Sequence, residues 1–142
     1  MIAGHSLLLD THVVIWMAKQ PDRLPRGLMK AIETVETRFV SHVTAWEIQI
    51  KCEKYGTTFG FSLDQLEETL KAFSCSELAI EYRDIRGLSE MRFLHPDPFD
   101  RLLMSQAARR ATYLATLDAD IIETFEATNA FSIFSDRPRQ KS

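Results

Sequence analysis

The sequence predicts a three-layer α/β/α domain with a central parallel sheet of four to five strands. Two observations carry this expectation. Short apolar runs such as Leu7-Leu8-Leu9 and Tyr113-Leu114-Ala115 are hydrophobic throughout, as strands covered on both faces require. Between such runs lie longer stretches of helical periodicity, the alternation that produces parallel strands joined by right-handed helical crossovers.

The elements follow in order. Leu7-Leu8-Leu9 reads as a buried strand ending at Asp10. Thr11 to Lys19 is helical, with Val14, Ile15 and Ala18 available for one face, and Pro21 ends it. Leu24, Leu28, Ala31, Ile32 and Val35 recur at helical spacing, which predicts a helix over Pro25 to Glu36. Arg38 to Ser41 is the second strand. Thr44 and Glu47 have capping-box spacing, so a helix over about Ala45 to Lys54 follows, stopped by Gly56. Ser62 can cap a further helix carrying Leu63, Leu66, Leu70 and Phe73. Glu77 to Ile80 is a weak third strand, and Glu81 to Arg92 is helical. Pro96 and Pro98 mark a tight connection into a helix over Pro98 to Arg110. Tyr113 to Thr116 is the fourth strand, Asp118 to Phe125 a short helix, and Phe131 to Phe134 a fifth strand or buried tail.

A length of 142 residues with 45% hydrophobic content suits one domain, with a core over about residues 7–134 and a loose tail at 135–142. The formal net charge of -3 argues against a protein that holds nucleic acid by bulk positive charge, though not against an enzyme that carries bound cations. Cys52 and Cys75 lack zinc or redox spacing and read as buried thiols of a reducing cytoplasm. Neither a signal peptide nor a membrane helix is expected.

Chain order gathers four acids. Asp10 follows the first strand, Glu47 lies one turn into the helix after the second, and Asp118 stands just past the fourth. The helix beginning at Pro98 leads into the fourth strand. It must therefore run back along the sheet, which puts Asp100 at the same carboxyl edge, where open α/β sheets bind ligands. Each acid taken singly has a capping explanation: Asp10 and Asp118 as N-caps, Glu47 in a capping box, and Asp100 near a helix's positive end behind Asp97. Two carboxylates about 5 Å apart repel by roughly 3 kcal/mol at an effective dielectric near 20, so four together call for separation, protonation or a cation. Oxygen donors of this kind suit Mg²⁺ or Mn²⁺.

Four segments then carry a resemblance: Leu8-Leu9-Asp10-Thr11-His12, Ser41 to Ile48, His95-Pro96-Asp97-Pro98-Phe99-Asp100-Arg101-Leu102-Leu103, and Thr116-Leu117-Asp118. In this order they resemble the PIN-domain ribonucleases, in particular the VapC-type toxins of bacterial toxin–antitoxin systems, over about Leu7 to Phe134. The stretch His95 to Leu103 is the most distinctive; Thr44 falls where many relatives carry Ser.

The resemblance places the catalytic and metal-binding acids on Asp10, Glu47, Asp100 and Asp118, with Asp120 a neighbouring competitor for Asp118. Thr11 and Thr116 match hydroxyl positions beside that site. Arg101 is a further binding candidate, toward a neighbouring acid or a phosphate. It implies hydrolysis of single-stranded RNA with one or two Mg²⁺ or Mn²⁺ ions, a homodimer, and a VapB-like antitoxin that occludes the groove. The helices from Pro25 and Ser62 are candidate dimer elements. His12 and His95 read first as structural residues. Trp16 and Trp46 can stack bases, but their helical settings favour packing. Arg83, Arg86, Arg109 and Arg110 read as a solvated face rather than a phosphate track.

Three other functions compete: a PIN-like nuclease of RNA maturation or DNA processing, a lapsed nuclease that only binds metal or protein, and a receiver-like phosphoacceptor. The last needs paired acids after the first strand, where Asp10 stands alone.

Overall fold

The computed structural model describes residues 6–91, 96–128 and 132–134. Five strands form one sheet in the order β3-β2-β1-β4-β5: β1 (Ser6–Leu9), β2 (Thr37–Ser41), β3 (Ser76–Leu78), β4 (Tyr113–Ala115) and β5 (Ser132–Phe134). Every pairing is parallel, with Leu8 opposite Phe39 on one side and Leu114 on the other. The chain winds outward from β1 through β2 to β3, then returns across the sheet to β4. The crevice expected at such a reversal lies between the carboxyl ends of β1 and β4.

Strand alternation divides the core. Leu7 and Leu9 face α1 (Thr11–Lys19), α2 (Arg26–Thr34) and α4 (Leu63–Ala72), packing with Val14, Met17, Leu28, Ile32 and Leu66. Leu8 and Leu114 face the opposite way, against Leu102, Leu103, Met104 and Ala107 of α7 (Pro98–Arg110) and Ile121 of α8 (Ala119–Thr128). α3 (His42–Tyr55) serves both sides, giving Ile48 to the first cluster and Val43 to the second. The expected three layers are therefore present.

Three local expectations change. α3 begins at His42, and its cap is Ser41, whose side chain accepts from Val43 N at 3.0 Å. Thr44 is fully buried and shares a hydrogen bond of 3.0 Å with Thr11 Oγ1, so Thr44 and Glu47 form no capping box. The helix expected over Glu81 to Arg92 is two, α5 (Tyr82–Arg86) and α6 (Leu88–Met91), parted at Gly87. A Cβ at Gly87 would collide with Ser105 Oγ and Arg109 of α7, so close approach to that helix requires glycine there. The cysteines are free but only part-buried; Cys52 Sγ donates to Phe61 O, and burial raises the Cys75 thiol. The proposed tail at 135–142 and His95 lie outside the described residues.

Candidate active site

Asp10 leaves β1 in extended conformation and is 3% exposed. One carboxyl oxygen accepts from Thr11 N at 2.8 Å, so it caps α1 as the bland reading required. The other accepts from Thr116 Oγ1 at 2.8 Å, which ties the end of β1 to the end of β4. Its backbone N–H continues the ladder to Ala115 O at 3.0 Å. Capping thus uses only half of this carboxylate.

Glu47 lies more than a turn inside α3 and is 5% exposed. Its Oε2 pairs with Lys51 Nζ at 3.0 Å, while Oε1 is buried with no hydrogen-bond partner. An orphaned, buried carboxylate oxygen is costly unless something else satisfies it. Asp118 caps α8 through Oδ1, which accepts from Asp120 N at 2.9 Å and Ile121 N at 3.1 Å. Its own N–H donates to Thr116 Oγ1 at 3.0 Å, so one threonine hydroxyl links two of the acids. Asp97 caps α7, accepting from Phe99 N and Asp100 N, and sets Asp100 in the first helical turn.

Electrostatics shows that these acids share one site. Burial raises the Asp100 carboxyl from 3.8 to about 8, and the charges of Asp10, Asp97, Asp118 and Glu47 add to the rise in that order. Asp10 is raised to about 6, again chiefly by burial; the Thr116 hydrogen bond and the His12 charge pull down, and Asp118 pushes up. Asp118 acts on both carboxyls, and Asp120 is exposed. The structure therefore brings Asp10, Glu47, Asp100 and Asp118 together and leaves Asp120 at the rim.

Thr116 stands between two of the acids, but the Thr11 hydroxyl turns to Thr44 instead. Arg101 has a buried Nε with no hydrogen-bond partner. Lys51 escaped the reading of the sequence, although its spacing of four residues from Glu47 on a helix was the available signal.

Among the described residues, no three His, Cys, Asp or Glu side chains are placed to ligate one ion together. The reason is visible in their bonds: Asp10 is turned to Thr116, Glu47 to Lys51, and Asp118 to the start of α8. The donor set nonetheless fits a hard cation. It is all carboxylate oxygen, it is crowded with negative charge, and Glu47 Oε1 lacks a partner.

A parallel α/β domain with an acidic crevice at its carboxyl edge is the class that fold and site define. The PIN domain family model matches residues 7–137, and the chain belongs to that family. A comparison with curated proteins finds no match. Solved structures with the same fold include VapBC from Salmonella typhimurium bound to DNA, at 16% identity and a TM-score of 0.65, covering 92% of this chain and 98% of that one. VapBC2 from Rickettsia felis, bound to a DNA fragment from its promoter, is also 16% identical, with a TM-score of 0.64 and the same coverage. FitAcB from Neisseria gonorrhoeae is 20% identical, with a TM-score of 0.62 over 90% of this chain and 96% of that one.

Proposed function

We propose that this chain is a divalent-metal-dependent endoribonuclease, the toxin of a toxin–antitoxin pair, which hydrolyses phosphodiester bonds in single-stranded RNA. The observation that carries the reading is the surroundings of Asp100: four other acids, drawn from three further elements and the turn before α7, act on one half-buried carboxyl. Membership of the PIN domain family supports nuclease chemistry at these residues. The likeness in fold to chains of VapBC complexes supports the toxin assignment and a VapB-like antitoxin that covers the crevice.

Asp10 and Asp100 would hold Mg²⁺ or Mn²⁺, with Glu47 and Asp118 completing the oxygen donors. When bound, the ion supplies charge neutralisation at the phosphate and a water of lowered pKa. Thr116 ties the Asp10 carboxylate to the backbone of Asp118, which holds the two strand ends in register at the site. Lys51 holds Glu47 until a cation competes for it. Arg101, whose Nε is buried without a hydrogen-bond partner, would have to turn its guanidinium outward to meet a phosphate oxygen. With water as the nucleophile and the 3′-oxygen as the leaving group, products carry a 5′-phosphate and a 3′-hydroxyl.

The chain works as a cytoplasmic homodimer, with α2 and α4 as the dimer elements. No helix of the described residues is long and apolar enough to cross a membrane. Sequencing RNA ends after brief expression tests both activity and target: new 5′-phosphate ends must appear with the wild type and vanish with Asp10→Ala. Ends that persist in the variant, or cleavage that survives excess EDTA, would contradict the proposal. A fold-only role in RNA maturation would instead give ends confined to precursor transcripts.

A further inference from the structure

The sequence favours packing as the role of Trp46, yet its indole is 53% exposed, among the large hydrophobic side chains left most open to solvent. It is not placed at random. Trp46 and Glu47 are consecutive on α3, so the helix turns the acid inward and the indole outward. The indole meets the Phe99 ring edge-to-face, with centroids 4.9 Å apart. Phe99 in turn precedes Asp100 in the first turn of α7. The aromatic pair therefore spans the two helices that supply Glu47 and Asp100, at the mouth of the acidic crevice.

From this juxtaposition we infer that Trp46, backed by Phe99, is a stacking platform for an unpaired nucleobase next to the scissile phosphate. The inference rests on the nuclease reading and adds to it the residue that positions the substrate. Three features favour a base as the occupant. An edge-to-face contact holds the indole in a fixed orientation, which lowers the ordering cost of stacking on it. Bases stack on aromatic rings whatever their identity, so the platform selects for single-stranded character rather than sequence. A net-acidic chain gathers nucleic acid poorly by charge alone, so an uncharged anchor beside the acids compensates. Paired bases cannot present a free face to the indole, so duplex RNA is excluded at this position.

The test uses full-length protein carrying Trp16→Phe, which leaves Trp46 as the one indole of the chain. The probe is a mixed-sequence single-stranded oligoribonucleotide, titrated in Ca²⁺ to suppress turnover. Binding should quench Trp46 emission. Trp46→Ala should weaken binding about tenfold, as loss of one base–aromatic stack does, and raise KM with little change in kcat. Trp46→Phe should recover most of the affinity. Wild-type cleavage together with unquenched emission and an unchanged KM in Trp46→Ala would overturn the platform while leaving the nuclease intact. A lower oligomeric state of Trp46→Ala by light scattering would also overturn it, making the indole a contact between copies. A wild type that neither binds nor cleaves the probe would remove both readings.

Discussion

The two ends of α7 meet acids of opposite character, Asp84 of α5 at one end and Asp100 of its own first turn at the other. At its C-terminal end Arg110 donates to Asp84 Oδ2 at 2.8 Å and also pairs with Glu81 at 3.0 Å. Asp84 is 0% exposed and accepts from Glu81 N as well, while Gln106 approaches the same oxygen at 3.4 Å. At the N-terminal end, about 15 Å away along the helix, Asp100 is surrounded by other carboxylates. The first cluster pairs unlike charges and fastens α5 to α7. The second brings like charges together, and the caps that Asp10, Asp97 and Asp118 provide do not require that crowding. A buried acid beside a guanidinium is stabilised as an ion, whereas acids crowded together raise one another's proton affinity, the pattern expected of a functional site.

Breaking each cluster should give opposite results. Asp84→Ala strands the Arg110 guanidinium in a largely buried position and should cost about 3–5 kcal/mol, read as a lower urea midpoint. A loss below about 1 kcal/mol would mean the network contributes little beyond a surface pair.

Asp100→Asn should do the reverse above neutral pH. The folded carboxyl titrates at about 8 against an ordinary 3.8, so between those values the folded chain keeps a proton that the unfolded chain has lost. Stability must then fall as pH rises through that window, with Asp10 contributing up to about 6. The variant should melt about 5 °C or more above the wild type at pH 9 and level with it at pH 4, in EDTA. Equal melting temperatures at pH 9 would show that neither burial nor the neighbouring acids disfavour the charged Asp100 carboxyl.

The smallest effect concerns Lys51, the cation paired with Glu47. Lys51→Met frees Glu47 Oε2 from its competitor and should tighten Mn²⁺ binding about threefold, at a stability cost under about 1 kcal/mol. Weaker Mn²⁺ binding would instead make Lys51 a support of the site.

The same contrast explains what was legible in the sequence. Three acids of the crevice come shortly after strands and Asp100 opens the helix that leads back to β4, so strand–helix order was enough to place Asp10, Glu47, Asp100 and Asp118 on one edge. The Asp84–Arg110 pair joins residues far apart in the chain on separate helices, and no local pattern announces it; the arginine had read as part of a solvated face. Helix periodicity gave α1 and α7 with the observed bounds. It missed the break at Gly87 because close helix packing, rather than local preference, requires that glycine. It also misplaced the cap of α3, since both Ser41 and Thr44 have capping chemistry and only burial of Thr44 against Thr11 decides between them. The 53% exposure of Trp46 was not legible because spacing alone does not distinguish a half-buried helix face from an open one.

Calorimetric titration of Mn²⁺ at pH 7 tests the central claim most directly, that the four acids form one cation site. The account predicts saturable binding that releases protons, because Asp100 and in part Asp10 must give theirs up to coordinate. The heat should therefore change with the ionisation enthalpy of the buffer, and Asp100→Asn should lose both the proton release and most of the affinity. Absence of binding, or binding that Asp100→Asn leaves unchanged, would contradict it.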